Sequence, residues 1–329
     1  MTVLVTGGAG YIGSHMVWRL LDAGEKVVVA DSLATGFDWA VAPEANLLVG
    51  DIGDPEFLDG MLKDGAVEAI IHFAGSVVVP ESVANPLKYY DNNTAKSRTL
   101  IAKAVEHGVG KFIFSSTAAV YGSVGEEPVA ETAPTVPESP YGWSKLMVEQ
   151  ILADTAIAHD FRYTALRYFN VAGADPDGRT GQSTKGATHL IKVASETAAG
   201  KRRSMEVFGT DYPTRDGTCI RDYIHVTDLV EAHYLALERL RSGGESLTAN
   251  CGYGDGFTVL EVIDAVKRAS GKDFEVTMAP RRTGDAVSVV ANPRTAMREF
   301  GWKPVCNDLD LIVRTALDWE RSLALRNRV

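Results

Sequence analysis

The stretch "TVLVTGGAGYIGSHMVWRLLDAG" at residues 2–24 restricts what this chain can fold into more than any other. A β-branched apolar run is followed at once by Gly7, Gly10 and Gly13, with Gly8 also in G-x-G-x-x-G register, and then by helical periodicity. Glycines there permit a tight strand-to-helix turn and leave room for a phosphate at the helix N-terminus, where backbone N–H groups lack internal partners. The motif alone is weak. A strand directly before it and a helix directly after it are the context that makes it a dinucleotide-binding turn, with Tyr11 and Ile12 opening the helix beside the ligand.

The runs "KVVVAD", "NLLVGD", "AIIHFAG", "KFIFSST" and "YTALRYFN" repeat the strand pattern, with amphipathic segments between them. Runs that are apolar throughout suit strands covered on both faces. The predicted fold is therefore α/β, a doubly wound parallel Rossmann sheet of six strands with a smaller mixed α/β lobe. Residues 1–171 are expected to form the nucleotide-binding domain and residues 172–329 the second lobe, with segments around 220–250 able to return to the first sheet. "GADPDGRTGQSTKGATHL" at 173–190 reads as a long loop, a feature that is commonly functional.

A net charge of −10 argues against nonspecific binding to nucleic acid or an anionic membrane. No apolar run approaches the ~20 residues that span a bilayer. The first residues carry no basic, apolar leader, so the expectation is a cytoplasmic protein. Cys219, Cys251 and Cys306 are an odd number without a CxxC and read as reduced packing thiols. The histidines show no metal-ligand spacing, and no metal site is expected.

Asp31 ends the second run 18 residues after Gly13, about where a carboxylate takes the adenosine ribose hydroxyls. It would repel a 2′-phosphate, and no arginine follows in "DSLATG", so NAD is favoured over NADP. Asp51, in "VGDIGD", is placed to accept from the adenine amino group with Ile52 packing on the ring; a plain helix N-cap is the other reading of Asp51.

In "SPYGWSKLMVEQIL", Tyr141 and Lys145 stand one helical turn apart, so a phenol and an ammonium share one face. A phenol near its solution pKa of ~10 is a poor base at neutral pH. A nearby ammonium and a cationic nicotinamide favour phenolate and are expected to lower that pKa. Tyr141 then becomes the base that removes a hydroxyl proton, and Lys145 tunes it.

"TGGAGYIGSH", "HFAG", "YYDNN", "FSSTAAVYG", "SPYGWSK", "LRYFN" and "DYPTRDGTCIRDYIHVTDL", in this order, resemble the extended short-chain dehydrogenase/reductases, and within them the UDP-glucose 4-epimerase branch. The resemblance runs through essentially the whole chain. It implies a redox-neutral cycle in which C4 of a UDP-hexose is oxidised to a 4-keto intermediate and hydride returns to the opposite face, interconverting UDP-galactose and UDP-glucose on a retained NAD. It places Phe73, Ala74, Gly75, Asn92, Tyr141, Lys145 and Tyr168 at the cofactor, and Thr117, at the end of the fifth run and at the family's Ser/Thr position, in hydrogen-bonding reach of the reacting oxygen. Asn170, Arg221 and Arg282 fall at the diphosphate, Asp285 at the uridine ribose, and His189, Leu190, Val207, Phe208, Tyr223 and Val289 elsewhere along the substrate. It also implies a homodimer built from two helices of each subunit, one of them beginning at Tyr141. Leu146, Met147, Ile151 and Leu152 suit such an interface and equally a buried core helix.

The chain departs from the family pattern in three places. Val77 stands where a lysine near the pyrophosphate is usual, Thr188-His189-Leu190 replace an Asn-Asn-Leu run, and Val289 falls where some members carry a tyrosine beside the sugar. The last change leaves room for a 2-acetamido group, so UDP-N-acetylhexosamines are expected as further substrates. A UDP-pentose 4-epimerase and a nucleotide-sugar 4,6-dehydratase use related sites, although a dehydratase carries Asp-Glu where this chain has Ala118 and Ala119. A non-catalytic NAD-sensing module is the alternative from a different class.

Overall fold

A computed structural model describes residues 2–125, 127–282 and 285–326. The first half alternates strand and helix: β1 (Thr2–Thr6), α1 (Tyr11–Asp22), β2 (Lys26–Asp31), β3 (Asn46–Val49), α2 (Pro55–Leu62) and β4 (Val67–His72). Two short helices, α3 (Val79–Ala84) and α4 (Pro86–Tyr89), lead through a π-helical turn at Tyr90–Ala95 into α5 (Lys96–Glu106), β5 (Lys111–Ser115), α6 (Pro140–Ala158) and β6 (Arg162–Tyr168). Then come β7 (Asn170–Ala172), α7 (Leu190–Ala198), β8 (Ser204–Phe208), β9 (Ile220–His225), α8 (Val226–Arg241) and β10 (Leu247–Cys251). The chain closes with β11 (Gly256–Thr258), α9 (Val259–Ser270), β12 (Glu275–Ala279), β13 (Ser288–Val289), α10 (Arg294–Phe300) and α11 (Leu309–Arg326).

The central sheet is parallel and has the order β10-β6-β5-β4-β1-β2-β3. It contains seven strands, not the six expected. The added β10 is delivered beside β6 by α8, whose Arg241 pairs with Glu25 at 2.5 Å and Glu68 at 3.0 Å and so fixes the helix across the sheet. Both sheet faces are dry. Val3, Val5, Ile71 and Ile113 turn to one core, shared with α1, α7, α8, α9 and α11, while Leu4, Ile70, Phe112 and Phe114 turn to the other, against α2, α5 and α6. Side chains alternate along a strand, so a strand buried on both faces must be apolar at consecutive positions.

The chain order reverses between β1 and β4, and the loops after β1, β2, β4, β5 and β6 all leave the carboxyl edge of the sheet. Open α/β sheets bind ligands at that switch point. Beyond it, β9 lies between β11 and β13, with β7 paired to it in parallel, and β8 pairs with β12. Among the described residues, no helix is long and apolar enough to cross a membrane. The three cysteines are buried and unpaired with one another.

Candidate active site

The glycine turn after β1 is packed so closely that side chains have no place in it. Gly7 sits at φ 72°, and a Cβ there would come within 2.6 Å of the Ala74 nitrogen; on Gly13 it would lie 2.1 Å from the Gly7 carbonyl oxygen. Gly10 is the N-cap of α1 and offers no side chain to the first N–H groups of the helix, Tyr11 and Ile12 among them. Asp31, buried at the end of β2, accepts from the Ala9 nitrogen at 2.9 Å and the Leu33 nitrogen at 2.8 Å, so it ties the turn to the second strand. A carboxylate has further lone pairs for a ligand hydroxyl. An uncapped helix N-terminus over a glycine cradle, with a carboxylate one strand away, fits the diphosphate and ribose of NAD.

Asp51 pairs with Lys96 at 2.6 Å and accepts from the Gly53 nitrogen at 2.8 Å. It is not a helix cap: Asp54 is the N-cap of α2, accepting from the Glu56 nitrogen at 2.9 Å. Ile52 is buried in the core beside α2 and α5. After β4, Phe73 packs 4.9 Å from His233, and Gly75 lies where a Cβ would be 3.0 Å from the Asn93 side-chain oxygen and 3.7 Å from Lys145 Nζ. Asn92 donates to Ser76 Oγ at 3.0 Å. Its neighbour Asn93, overlooked in the sequence, clamps that loop: it accepts from the Ser76 nitrogen at 2.7 Å and donates to the Ser76 carbonyl and to Ser144 Oγ, both at 3.0 Å. The π-helical turn carrying both asparagines is a local distortion of the kind found at functional sites.

Thr117, Tyr141 and Lys145 meet where the loop after β5 crosses the first turns of α6. Ser139 caps that helix, accepting from the Gly142 nitrogen at 3.2 Å, and Pro140 occupies its first turn. Lys145 is buried and donates from Nζ to the Ser115 carbonyl at 2.9 Å, with Phe114 below it at 4.9 Å. Ser115 Oγ donates in turn to the Tyr168 hydroxyl at 2.8 Å. Burial brings the Lys145 ammonium down to about 8, opposed by the charge of Glu149. Burial also pushes the Tyr141 phenol up, while its hydrogen bond with Thr117 draws it back. The expected lowering of Tyr141 is therefore not a property of the protein alone, because desolvation of phenolate outweighs the protein's own charges.

A glycine cradle, a carboxylate at the end of the neighbouring strand and a buried Tyr-Lys pair on one sheet edge have counterparts in known proteins. The family model described as NAD dependent epimerase/dehydratase family matches residues 3–252. The chain belongs to that family. It is 56% identical over 321 residues to the UDP-glucose 4-epimerase of Azospirillum brasilense, covering 98% of this chain and 92% of that one. The crystal structure of the UDP-glucose 4-epimerase from Brucella ovis in complex with NAD superposes with a TM-score of 0.95 at 44% identity, covering 97% of this chain and 98% of that one. The UDP-Glc/GlcNAc 4-epimerase from Campylobacter jejuni does so with a TM-score of 0.86 at 46% identity, covering 98% and 99%.

In this epimerase/dehydratase chain the residues expected at the substrate fall into two groups, joined by β9. Asn170, His189, Leu190 and Tyr223, with Tyr11, line a small cavity of about 40 Å³ between the glycine-turn helix and α7. Phe208, Arg221, Arg282, Asp285 and Val289 form the second group. Arg282 lies over the Phe208 ring at 4.8 Å and donates to Asp285 at 2.9 Å, Arg221 approaches Asp285 at 4.0 Å, and Val289 pairs with Arg221 in register. Arg281 turns instead to Asp211 at 2.6 Å and Tyr212. Arg221 and Tyr223 share one side of β9, and the buried Asp222 between them holds the strand by accepting from the nitrogens of Tyr253, Gly254 and Ala291. Val207 does not line either group with its side chain, which is packed in the core, because alternation along β8 turns it opposite to Phe208. Gln182, Lys192, Trp319 and Glu320 also line the cavity, and no motif in the sequence singles them out.

Proposed function

We propose that this chain is a UDP-sugar 4-epimerase that interconverts UDP-galactose and UDP-glucose on a resident NAD. The observation that carries the reading is the convergence of Thr117, Tyr141 and Lys145 beside the glycine cradle, with the Arg221–Asp285–Arg282 cluster on the second lobe. Residues 1–171, joined by α8 and β10, hold the cofactor in this reading, and most of the remainder holds the UDP-sugar.

Held by the glycine cradle and Asp31, NAD would supply a hydride acceptor and donor for C4 when bound. The chain's own residues move the proton and hold the ligands. Tyr141 Oη takes the proton from the C4 hydroxyl and gives it back, Thr117 Oγ1 hydrogen-bonds the reacting oxygen, and the Lys145 ammonium favours the phenolate while reaching the nicotinamide ribose. Asp31 takes the adenosine ribose, Asp51 the adenine amino group, and Phe73, Ala74, Gly75, Asn92 and Tyr168 border the cofactor. Arg221 and Arg282 bind the diphosphate with Asn170, and Asp285 the uridine ribose. Binding energy from UDP, which does not react, retains the ketone while the sugar turns over. A dehydratase needs an additional acid and base beside the threonine, and the turn at Ala118–Val120 supplies neither. Conversion of UDP-galactose to UDP-glucose by the purified protein with no cofactor added, followed by the anomeric proton signals in NMR, tests the reading; no conversion even with NAD supplied contradicts it.

The half-buried Val289 supports a roomy sugar site, as the UDP-Glc/GlcNAc 4-epimerase neighbour indicates is possible on this fold. UDP-N-acetylgalactosamine is expected to turn over comparably to UDP-galactose, and Val289→Tyr to lower the first activity about tenfold or more while sparing the second, a loss of the size that pocket contacts produce. Failure of the unsubstituted protein on the acetamido sugar contradicts this.

The reading includes a homodimer through α5 and α6. Leu152 turns into the core, but Trp143 and Met147 are 40% and 41% exposed on α6, beside a groove of about 510 Å³ that also meets Arg98 and Ile151. Met147→Arg is expected to convert the dimer to monomer in analytical ultracentrifugation, since a second cation beside Arg98 would be buried without a partner in that groove. A monomeric unsubstituted protein contradicts the assembly.

A further inference from the structure

Glu149 stands one turn beyond Lys145 on α6 and is buried, yet the chemistry above does not use it. Its carboxylate accepts from Ser116 Oγ and holds Arg167 by two-pronged contact, Nε to Oε1 at 3.0 Å and Nη2 to Oε2 at 2.6 Å. Ser116 lies between Ser115, whose carbonyl receives the Lys145 ammonium, and Thr117. Arg167 opens the "RYFN" motif, and its other arm donates to the Tyr121 hydroxyl at 3.0 Å, which donates to Asn250 of β10 at 2.7 Å. One carboxylate therefore joins the loop carrying Thr117, the helix carrying Tyr141 and Lys145, and the strand carrying Tyr168.

We infer that Glu149, held by Arg167, is the positioning residue of this active site: it fixes the Ser115–Thr117 segment against α6 and supplies the buried negative charge nearest to Lys145 on its own helix. Beside the hydrogen bond between Tyr141 and Thr117, two further side-chain links hold the reacting elements together, Lys145 to the Ser115 carbonyl and Glu149 to Ser116 Oγ. Both arise from α6, so the spacing of Tyr141, Lys145 and Glu149 at every fourth residue sets the distance between helix and loop.

The titratable groups around Lys145 and Tyr141 give the electrostatic half a definite sign. From β4, His72 is held neutral by burial, its pKa lowered to about 3; from β6 come Arg167 and Tyr168, the latter pushed up by burial. Tyr89 of α4 meets Tyr141 edge-on at 6.4 Å and is bonded to Glu81. Among these, Glu149 is the carboxylate on the helix of Lys145 and opposes the ammonium's desolvation. Removing a buried negative charge favours the deprotonated form of every neighbour, so both ionisations of the Tyr141–Lys145 pair should move to lower pH.

The inference rests on the epimerase reading, so its test includes a signal that needs no UDP-sugar. In NAD-loaded protein the ionisation of Tyr141 is followed as the phenolate ultraviolet absorbance that Tyr141→Phe removes. Glu149→Gln is expected to shift that ionisation, and the alkaline fall in kcat, down by about one pH unit, the size of effect a partly screened buried charge has on a neighbour. An unmoved ionisation in folded, NAD-loaded Glu149→Gln overturns the inference, whereas a normal shift without any sugar turnover overturns only the proposed function. Ser116→Ala keeps the charge and removes the link: kcat should fall about tenfold, as displacement of reacting groups produces, with the pH limbs in place. An unchanged kcat in Ser116→Ala overturns the positioning role, and that variant decides it if Glu149→Gln does not fold.

Discussion

Tyr141→Phe is expected to lower kcat about a thousandfold while NAD remains in the purified protein, the range in which loss of a positioned general base falls. The ring keeps its place between Tyr89 and the loop of Thr117, so the variant removes one oxygen and little packing. What disappears is the only route by which the C4 hydroxyl proton leaves in this mechanism. The glycine cradle and Asp31 are untouched, and NAD content measured after denaturation should match the unsubstituted protein. A kcat within about tenfold of the original would assign the base elsewhere. An NAD-sensing module would keep its function in this variant.

Gly13→Ala carries the second largest effect, and it falls on binding. Alanine is the better helix former, so propensity alone favours the change by ~1 kcal/mol. Packing decides the opposite sign: the new Cβ would sit 2.1 Å from the Gly7 oxygen and 2.8 Å from the Gly7 carbonyl carbon, both backbone atoms within the turn itself. Relief requires the turn to move away from α1 and with it the cradle for the diphosphate. Purified Gly13→Ala is expected to carry less than about a tenth of the bound NAD and to lose affinity about a hundredfold, as a misplaced anion site costs. Gly10→Ala is the control, because its Cβ would meet the Gly7 oxygen at a milder 3.2 Å. Full NAD content in Gly13→Ala contradicts the placement of the diphosphate at this turn.

The sheet was legible in the sequence because its strands are buried on both faces and must be apolar at each position, as in "AIIHFAG" and "KFIFSST". The seventh strand was legible only as a segment around 220–250 able to return to the first sheet: "LTANC" is short and partly polar, and its position beside β6 is set by how α8 packs, a contact no local pattern encodes. Tyr141 and Lys145 were legible because helical spacing puts them on one face. Asn93, Glu149 and Asp222 were not, because a buried polar residue looks like a surface one until its partners, far away in the chain, are known; Glu149 needs Ser116 and Arg167, and Asp222 needs Ala291. In the protein alone burial pushes the Tyr141 phenol up, which no local pattern in the sequence shows because burial is a property of the fold; the lowering expected beside a cationic nicotinamide concerns the NAD-loaded site. Val207 was assigned to the substrate, and the strand's alternation turns it inward.

The central claim is that hydride leaves C4 and returns to the same carbon without exchange. UDP-galactose carrying deuterium at C4, mixed with the purified protein in ordinary water with no cofactor added, tests it most directly. Formation of UDP-glucose that retains the deuterium at C4 is the predicted result. UDP-glucose with ordinary hydrogen at C4 would mean removal of the carbon-bound hydrogen to solvent, and would contradict the mechanism built on Tyr141, Lys145 and the glycine cradle.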